Sequence, residues 1–152
     1  MRYRVACVGR PDGGPFGPAV ATYLPRLSGL APTEVLPVRA VRGRDPIARR
    51  RSEAAALRAA AVGRTVALDE RGAAFTTEAL ARHVAQLELL GEGRLTLWIG
   101  GADGLDPDLV GGADERWRLS DLTLAHELAL AVLLEQLYRV ESWRAGHPYH
   151  RV

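Results

Sequence analysis

Leu128 to Leu134 is the longest unbroken apolar run in the chain, and it falls inside a helix-length segment from His126 to about Trp143. A helix that is apolar all the way round cannot keep one face in water, so this stretch must be covered on every side. The run is far too short to cross a bilayer, so the cover has to be protein. Either the helix is the centre of the monomer's own core, or a second copy packs against it. A chain of 152 residues rarely surrounds a helix unaided, which favours a symmetric homodimer joined through this segment.

The rest of the chain alternates short strands with helices. Arg2 to Val8, Glu34 to Val38, Arg64 to Leu68, Leu95 to Ile99 and Arg116 to Leu119 read as strands, with Pro37 marking an edge or a bulge. Helices are expected over Ala19 to Leu27, where Pro25 should kink or shorten the element, from Asp45-Pro46 to Ala61, and from Thr76 to about Leu90. Such alternation predicts an α/β sandwich, a mostly parallel sheet between helices, as one domain over residues 1–152 without repeat or linker. With 47% apolar and 25% charged residues, neither disorder nor a fibrous repeat is indicated. Met1-Arg2-Tyr3-Arg4 runs straight into a strand rather than a signal-peptide core, so a cytoplasmic protein that does not enter membranes is expected. Cys7 is the only cysteine and reads as a small core residue.

All 20 basic side chains are arginine, a bias that genome composition explains by itself. Their placement is more informative. Arg39, Arg42, Arg44, Arg49, Arg50 and Arg51 stand against the single acid Asp45, so residues 39–51 carry +5 while the whole chain carries +2. A solvated face would tolerate this density, and a phosphate-backbone contact on RNA would use it. Such contacts position a protein on RNA without reading its bases.

Two loops are candidate ligand sites. Gly100, Gly101 and Gly104 follow a strand end, at the sheet edge where α/β ligands bind, although a tight turn needs the same glycines. Leu119-Ser120-Asp121-Leu122-Thr123-Leu124 precedes the last helix and offers either a ligand loop or a plain helix cap. The tail His147-Pro148-Tyr149-His150-Arg151 gathers two of the four histidines, an aromatic ring and a cation, as an arm that touches something or as a solvated chain end. His147 and His150 lack the cysteine or acidic company of a metal site, so no metal is expected.

Three segments in order, IGGADGL (99–105), LSDLTLAHELALAVLLEQLYR (119–139) and GHPYHR (146–151), resemble the ribosomal RNA large-subunit methyltransferase H family of SPOUT-class enzymes. The likeness covers nearly the whole chain and is most specific in its last third. It implies S-adenosylmethionine-dependent methylation of N3 of a pseudouridine in 23S ribosomal RNA within the assembled ribosome. It also implies a C-terminal trefoil knot, which pattern alone would not suggest, and a homodimer with active sites at its interface. By this resemblance the cofactor contacts fall on Leu68, Gly100 with Gly101, and Leu119 through Leu124, while His126, Arg139, Tyr149, His150 and Arg151 stand on the substrate side. Ala102-Asp103, Ala125 and Glu127 depart from the family's usual residues without removing a group that the chemistry needs. The competing expectations are a non-catalytic dimeric ribosome-binding protein and a SPOUT methyltransferase acting on transfer RNA.

Overall fold

The computed structural model describes residues 1–149. Its strands are β1 (Arg2–Val8), β2 (Thr33–Val38), β3 (Arg64–Ala74), β4 (Arg94–Ile99) and β5 (Glu115–Arg118). The helices are α1 (Gly17–Leu30), α2 (Pro46–Ala59), α3 (Thr77–Leu89), α4 (Pro107–Gly111) and α5 (His126–Arg144). The strands form one sheet in the order β2-β1-β4-β3-β5, every neighbouring pair parallel.

Side chains alternate across a strand, and here both faces are covered. Tyr3, Val5 and Cys7 of β1, with Leu95, Leu97 and Ile99 of β4, pack under α1, α3 and α5, whereas Ala6, Val8 and Trp98 pack under α2 and α4. Burial pushes the Cys7 thiol up to about 11, as befits a core residue rather than a nucleophile. The expected starts of two helices are present: Asp45 accepts from the Ile47 N–H at 2.9 Å with Pro46 behind it, and Thr76 accepts from the Ala79 N–H at 3.1 Å. Pro37 lies on an edge strand, where its missing N–H removes no ladder bond to a further neighbour.

Several expectations need correction. Pro25 does not shorten α1, which runs on to Leu30 because Val20 and Leu27 are buried in the core and their packing outweighs the local cost. Strand β3 does not stop at Leu68: after a bulge, Ala73 and Ala74 pair again with Trp117 and Arg118 of β5. Gly72 permits this second pairing, since a Cβ there would lie 2.7 Å from the backbone of Trp117. Helix α4 was not expected, although Asp106-Pro107 repeats the start signal of Asp45-Pro46, and Asp106 accepts from the N–H groups of Asp108 and Leu109.

The largest correction concerns α5. Leu130, Leu133, Leu134 and Leu137 are at most 3% exposed, covered by the sheet and by α1 and α3 on either side. Within the apolar run, Leu130, Ala131, Leu133 and Leu134 therefore lie at the centre of the chain's own helical layer, and the burial of these four requires no partner. Leu128 and Val132 remain half-buried on the side of α5 away from its buried stripe, while Ala129 lines the cleft at the carboxyl edge.

At the amino edge of the sheet the far end of α5 is clamped by charge. The Met1 ammonium pairs with Glu88, Arg144 joins Glu88 to Glu141, and the Tyr3 hydroxyl donates to Glu141 Oε1 at 2.5 Å. Burial, reinforced by the Glu141 carboxylate, raises the Tyr3 phenol well above its ordinary value, so it stays a donor.

Candidate functional site

At the carboxyl edge the chain leaves an open cleft of about 550 Å³ between the end of β3, the glycine loop after β4, and the segment joining β5 to α5. Leu68, Leu119, Ser120, Leu122, Thr123 and Leu124 line it. Asp121 turns outward and pairs through Oδ1 with Arg118 Nη1 at 2.9 Å. The segment is not a helix cap: α5 begins after Ala125 with no side-chain cap, and Ser120 Oγ instead accepts from the Leu122 N–H at 2.9 Å. That local turn leaves Leu122 76% exposed at the cleft mouth.

Gly100 shapes the opposite wall without lining the cleft. A Cβ on it would lie 2.5 Å from the Gly104 carbonyl carbon, so the loop can fold back on itself only with glycine there. Gly104, at φ +77°, closes the turn by donating to the Gly101 carbonyl at 3.0 Å. The tight turn presents Ala102 to Leu105 as cleft wall.

Arginine surrounds the cleft. Arg50, Arg71, Arg116 and Arg118 line it, and the Nε atoms of Arg50 and Arg118 are buried without a hydrogen-bond partner among the described residues. A buried unpaired donor on a cation is costly, and an anionic or acceptor group in the cleft would satisfy it. Arg49 is already committed: its Nε and Nη2 meet the Asp103 carboxylate at 2.8 and 3.0 Å, tying α2 to the glycine loop. The Arg49 guanidinium holds Asp103 below the usual carboxylate range. The arginine cluster thus divides, with Arg39, Arg42, Arg44 and Arg51 exposed, Arg50 turned to the cleft and Arg49 used as a brace.

Strand β5, which leads into the cleft segment, is pinned by Glu115. Its carboxylate accepts from Arg64 Nε at 2.8 Å and from Trp117 Nε1 at 2.7 Å, and His83 Nε2 lies 2.7 Å away. Burial would raise this carboxyl, yet the hydrogen bonds from Trp117, Arg64 and His83 outweigh it and hold the group below its ordinary value.

The residues assigned to the substrate side do not meet. His126 opens α5 beside Gly9, in a separate cleft across the glycine loop. Arg139 lies 13 residues further along α5, about 20 Å of helix rise. There its Nη2 bonds Glu135 at 2.5 Å and its guanidinium covers the Tyr149 ring at 4.9 Å. Tyr149 is folded back on its own subunit, donating to Glu135 at 3.1 Å with its ring 4.5 Å from Tyr138. His150 and Arg151 lie outside the described residues. Sequence reasoning named Asp103 only as a departure from the family's usual residues and did not single out Arg118 or Glu53; helical spacing was the available signal for Glu53, since it shares a face of α2 with the buried Ala54 and Leu57.

A parallel α/β sheet with an arginine-rimmed cleft of mixed polar and apolar lining at its carboxyl edge is the frame of a small-ligand-binding protein, and a family model described as a predicted SPOUT methyltransferase matches residues 1–150. Proteins named ribosomal RNA large subunit methyltransferase H align along essentially the full length of both chains: that of Anaeromyxobacter sp. (strain K) is 41% identical over 99% of this chain and 100% of its own. The Rhizobium etli protein of that name is also 41% identical, over 100% of both, and the one from Variovorax paradoxus is 57% identical over 58% of this chain and 56% of its own. This chain belongs to the ribosomal RNA large subunit methyltransferase H family of SPOUT methyltransferases.

Proposed function

We propose that the chain transfers a methyl group from S-adenosylmethionine to N3 of a pseudouridine in 23S ribosomal RNA on the assembled ribosome. The observation that carries this reading is the cleft itself, where the leucines at 68, 119, 122 and 124 form an apolar wall next to buried, unpaired Nε atoms of Arg50 and Arg118. That donor set fits the cofactor, with apolar surface for adenine and guanidinium for a carboxylate. When bound, the cofactor supplies an electrophilic methyl carbon.

The protein must then hold the pseudouridine ring nitrogen in line, roughly 3 to 3.5 Å from that carbon, and either take its proton or stabilise the anion left when water takes it. We assign the proton to His150, the base stacking to Tyr149, and phosphate or base-oxygen contacts to Arg139 and Arg151. His126 stands closer to the glycine loop, and the exposed Arg39, Arg42, Arg44 and Arg51 hold RNA phosphates around the entrance. Since Arg139 and Tyr149 do not line their own subunit's cleft, the reading includes a homodimer in which each tail serves the neighbouring site. Leu128 and Val132, half-buried along the outer side of α5, supply apolar surface for that contact. The reading also takes residues 1–152 as a single SPOUT domain with a C-terminal trefoil knot. No helix among the described residues is long and apolar enough to cross a membrane, consistent with work on cytoplasmic ribosomes.

Two measurements test the proposal. Calorimetric titration with S-adenosylmethionine should show saturable one-site binding, and its absence would favour a non-catalytic ribosome-binding protein. Mass spectrometry of 23S RNA from a deletion strain should show a pseudouridine lacking its N3 methyl, restored with the gene. Methylation of free transfer RNA instead of ribosomes would point to the other class of substrate.

A further inference from the structure

Across the glycine loop from the cofactor cleft lies a second cleft of about 430 Å³, between the carboxyl ends of β1 and β4. This is where the sheet reverses its winding, because β2 lies on one side of β1 while β4 and β3 lie on the other. Such a switch point is the general ligand position of open α/β sheets, and the proposed cofactor cleft at β3 and β5 leaves it free. Ala102 and Asp103 wall both clefts.

The floor is kept open by two glycines. Gly9, at φ +99°, faces the His126 ring, with Nε2 3.5 Å from where a Cβ would stand. A Cβ on Gly101 would crowd Val8 at 3.0 Å and reach Glu53 Oε2 at 3.5 Å. Glu53 is the unusual feature. It is only 6% exposed, on the face of α2 that otherwise packs Ala54 and Leu57 against the sheet. Its Oε1 accepts from the Val41 N–H at 3.0 Å, while its Oε2 has no hydrogen-bond partner among the described residues. That second oxygen is not sealed in the core: it is open to the cleft beside Gly101, where it is available to an incoming N–H donor. Asp103, the other acid of the cleft, is neutralised by Arg49, so Glu53 is the free acceptor. Arg42 at the rim is exposed and has no ion-pair partner among the described residues.

An acceptor at depth, an imidazole beside it and a cation at the mouth complement a nucleotide: a base edge that donates N–H inward and a phosphate that stays outside. We infer that this second cleft receives a nucleotide of the RNA substrate other than the one methylated, its base N–H donors read by Glu53 and its phosphate held by Arg42. The glycine loop separates this nucleotide from the methyl donor, so it positions the RNA and takes no part in the transfer. The inference rests on the proposed RNA-directed activity for its biological ligand, and the binding site itself is testable without it.

Glu53→Gln isolates the point. Glutamine keeps an oxygen for the Val41 N–H but turns its NH2 toward donors that the carboxylate accepted. The variant should keep its thermal midpoint and its affinity for S-adenosylmethionine, while kcat/KM for ribosomes falls at least tenfold, chiefly through KM. An unchanged kcat/KM would overturn the inference. Arg42→Ala, a surface change that does not threaten folding, should raise the KM for ribosomes about fivefold, and an unchanged KM would count equally against it. Independently of any methylation, guanosine 5′-monophosphate should shift the Gly9, Val41 and Gly101 amide resonances saturably in the unmodified protein and not in Glu53→Gln. Equal shifts from inorganic phosphate alone, or no shifts at all, would show that no base is read there. If the chain methylates no ribosome, the activity proposal fails and the amide titration alone decides this one.

Discussion

The two ends of the sheet solve opposite problems. At the amino edge, Met1, Glu88, Arg144, Glu141 and Tyr3 close on one another, so each charge brought near the core meets an opposite charge or a hydroxyl. At the carboxyl edge, Arg50 Nε and Arg118 Nε are buried beside one cleft without a partner among the described residues, and Glu53 Oε2 accepts no hydrogen bond beside the other. A network satisfied within the chain stabilises the fold and leaves nothing for a ligand. Groups left unsatisfied cost stability and are retained where a ligand completes them. α5 spans both regimes, with His126 at the open end and Arg144 in the clamp.

The sharpest test of that contrast is Glu141→Ala. It leaves the Tyr3 hydroxyl and the Arg144 guanidinium without their shared acceptor, and should destabilise the fold by about 3 kcal/mol, read from urea unfolding. Turnover at a temperature where the variant is folded should stay unchanged; a large loss would mean that the amino edge also tunes the site. Gly100→Ala strikes the other edge. Its Cβ would overlap the Gly104 backbone, so the cofactor-side loop must open, and the dissociation constant for S-adenosylmethionine should rise about a hundredfold, roughly 2.7 kcal/mol. Calorimetry checks this, and wild-type affinity would show that the loop does not shape the cofactor site.

Leu122→Ala should divide stability from binding more gently. Because Leu122 is largely exposed, unfolding should change by less than about 0.5 kcal/mol while cofactor affinity drops roughly tenfold, about 1.4 kcal/mol. The smallest effect concerns Glu115. Its folded pKa lies below its ordinary 4.5, so its stabilising contribution is complete above that value and is lost as pH falls from there through the lower folded value. Glu115→Gln should flatten the acid limb of the unfolding midpoint, and an identical acid limb would show that the β5 clamp carries no pH-dependent stability.

Much of the fold is readable along the chain, because its signals are local. Asp45-Pro46 and Thr76 begin helices through bonds to the next turn, and the odd and even positions of β1 and β4 sort themselves onto two faces. The residues proposed to hold the cofactor, Leu68 and Leu119 to Leu124, come to attention for a different reason: the family resemblance points to them, and the structure gathers most of them in one cleft. Residues 69–72 hide the second half of β3, since Asp-Glu-Arg-Gly looks like a turn and only pairing with β5 makes the following residues strand. Glu53 and Arg118 are ordinary surface charges on paper. Only α2 closing on the sheet, and β5 leading into its loop, bury an oxygen or a nitrogen of each beside a cleft.

By itself, the sequence determined that this chain is a layered α/β protein with a helix that must be wholly covered, because helix periodicity, capping and strand alternation act over a few residues. Tertiary structure alone decided what covers that helix. With α1 and α3 on either side and the sheet beneath, the chain buries its own leucines, and the case for a second subunit passes to the half-buried outer strip of α5. It also decided that His126 and Arg139 lie about 20 Å apart, a separation that follows from a straight helix joining the open edge of the sheet to its closed one.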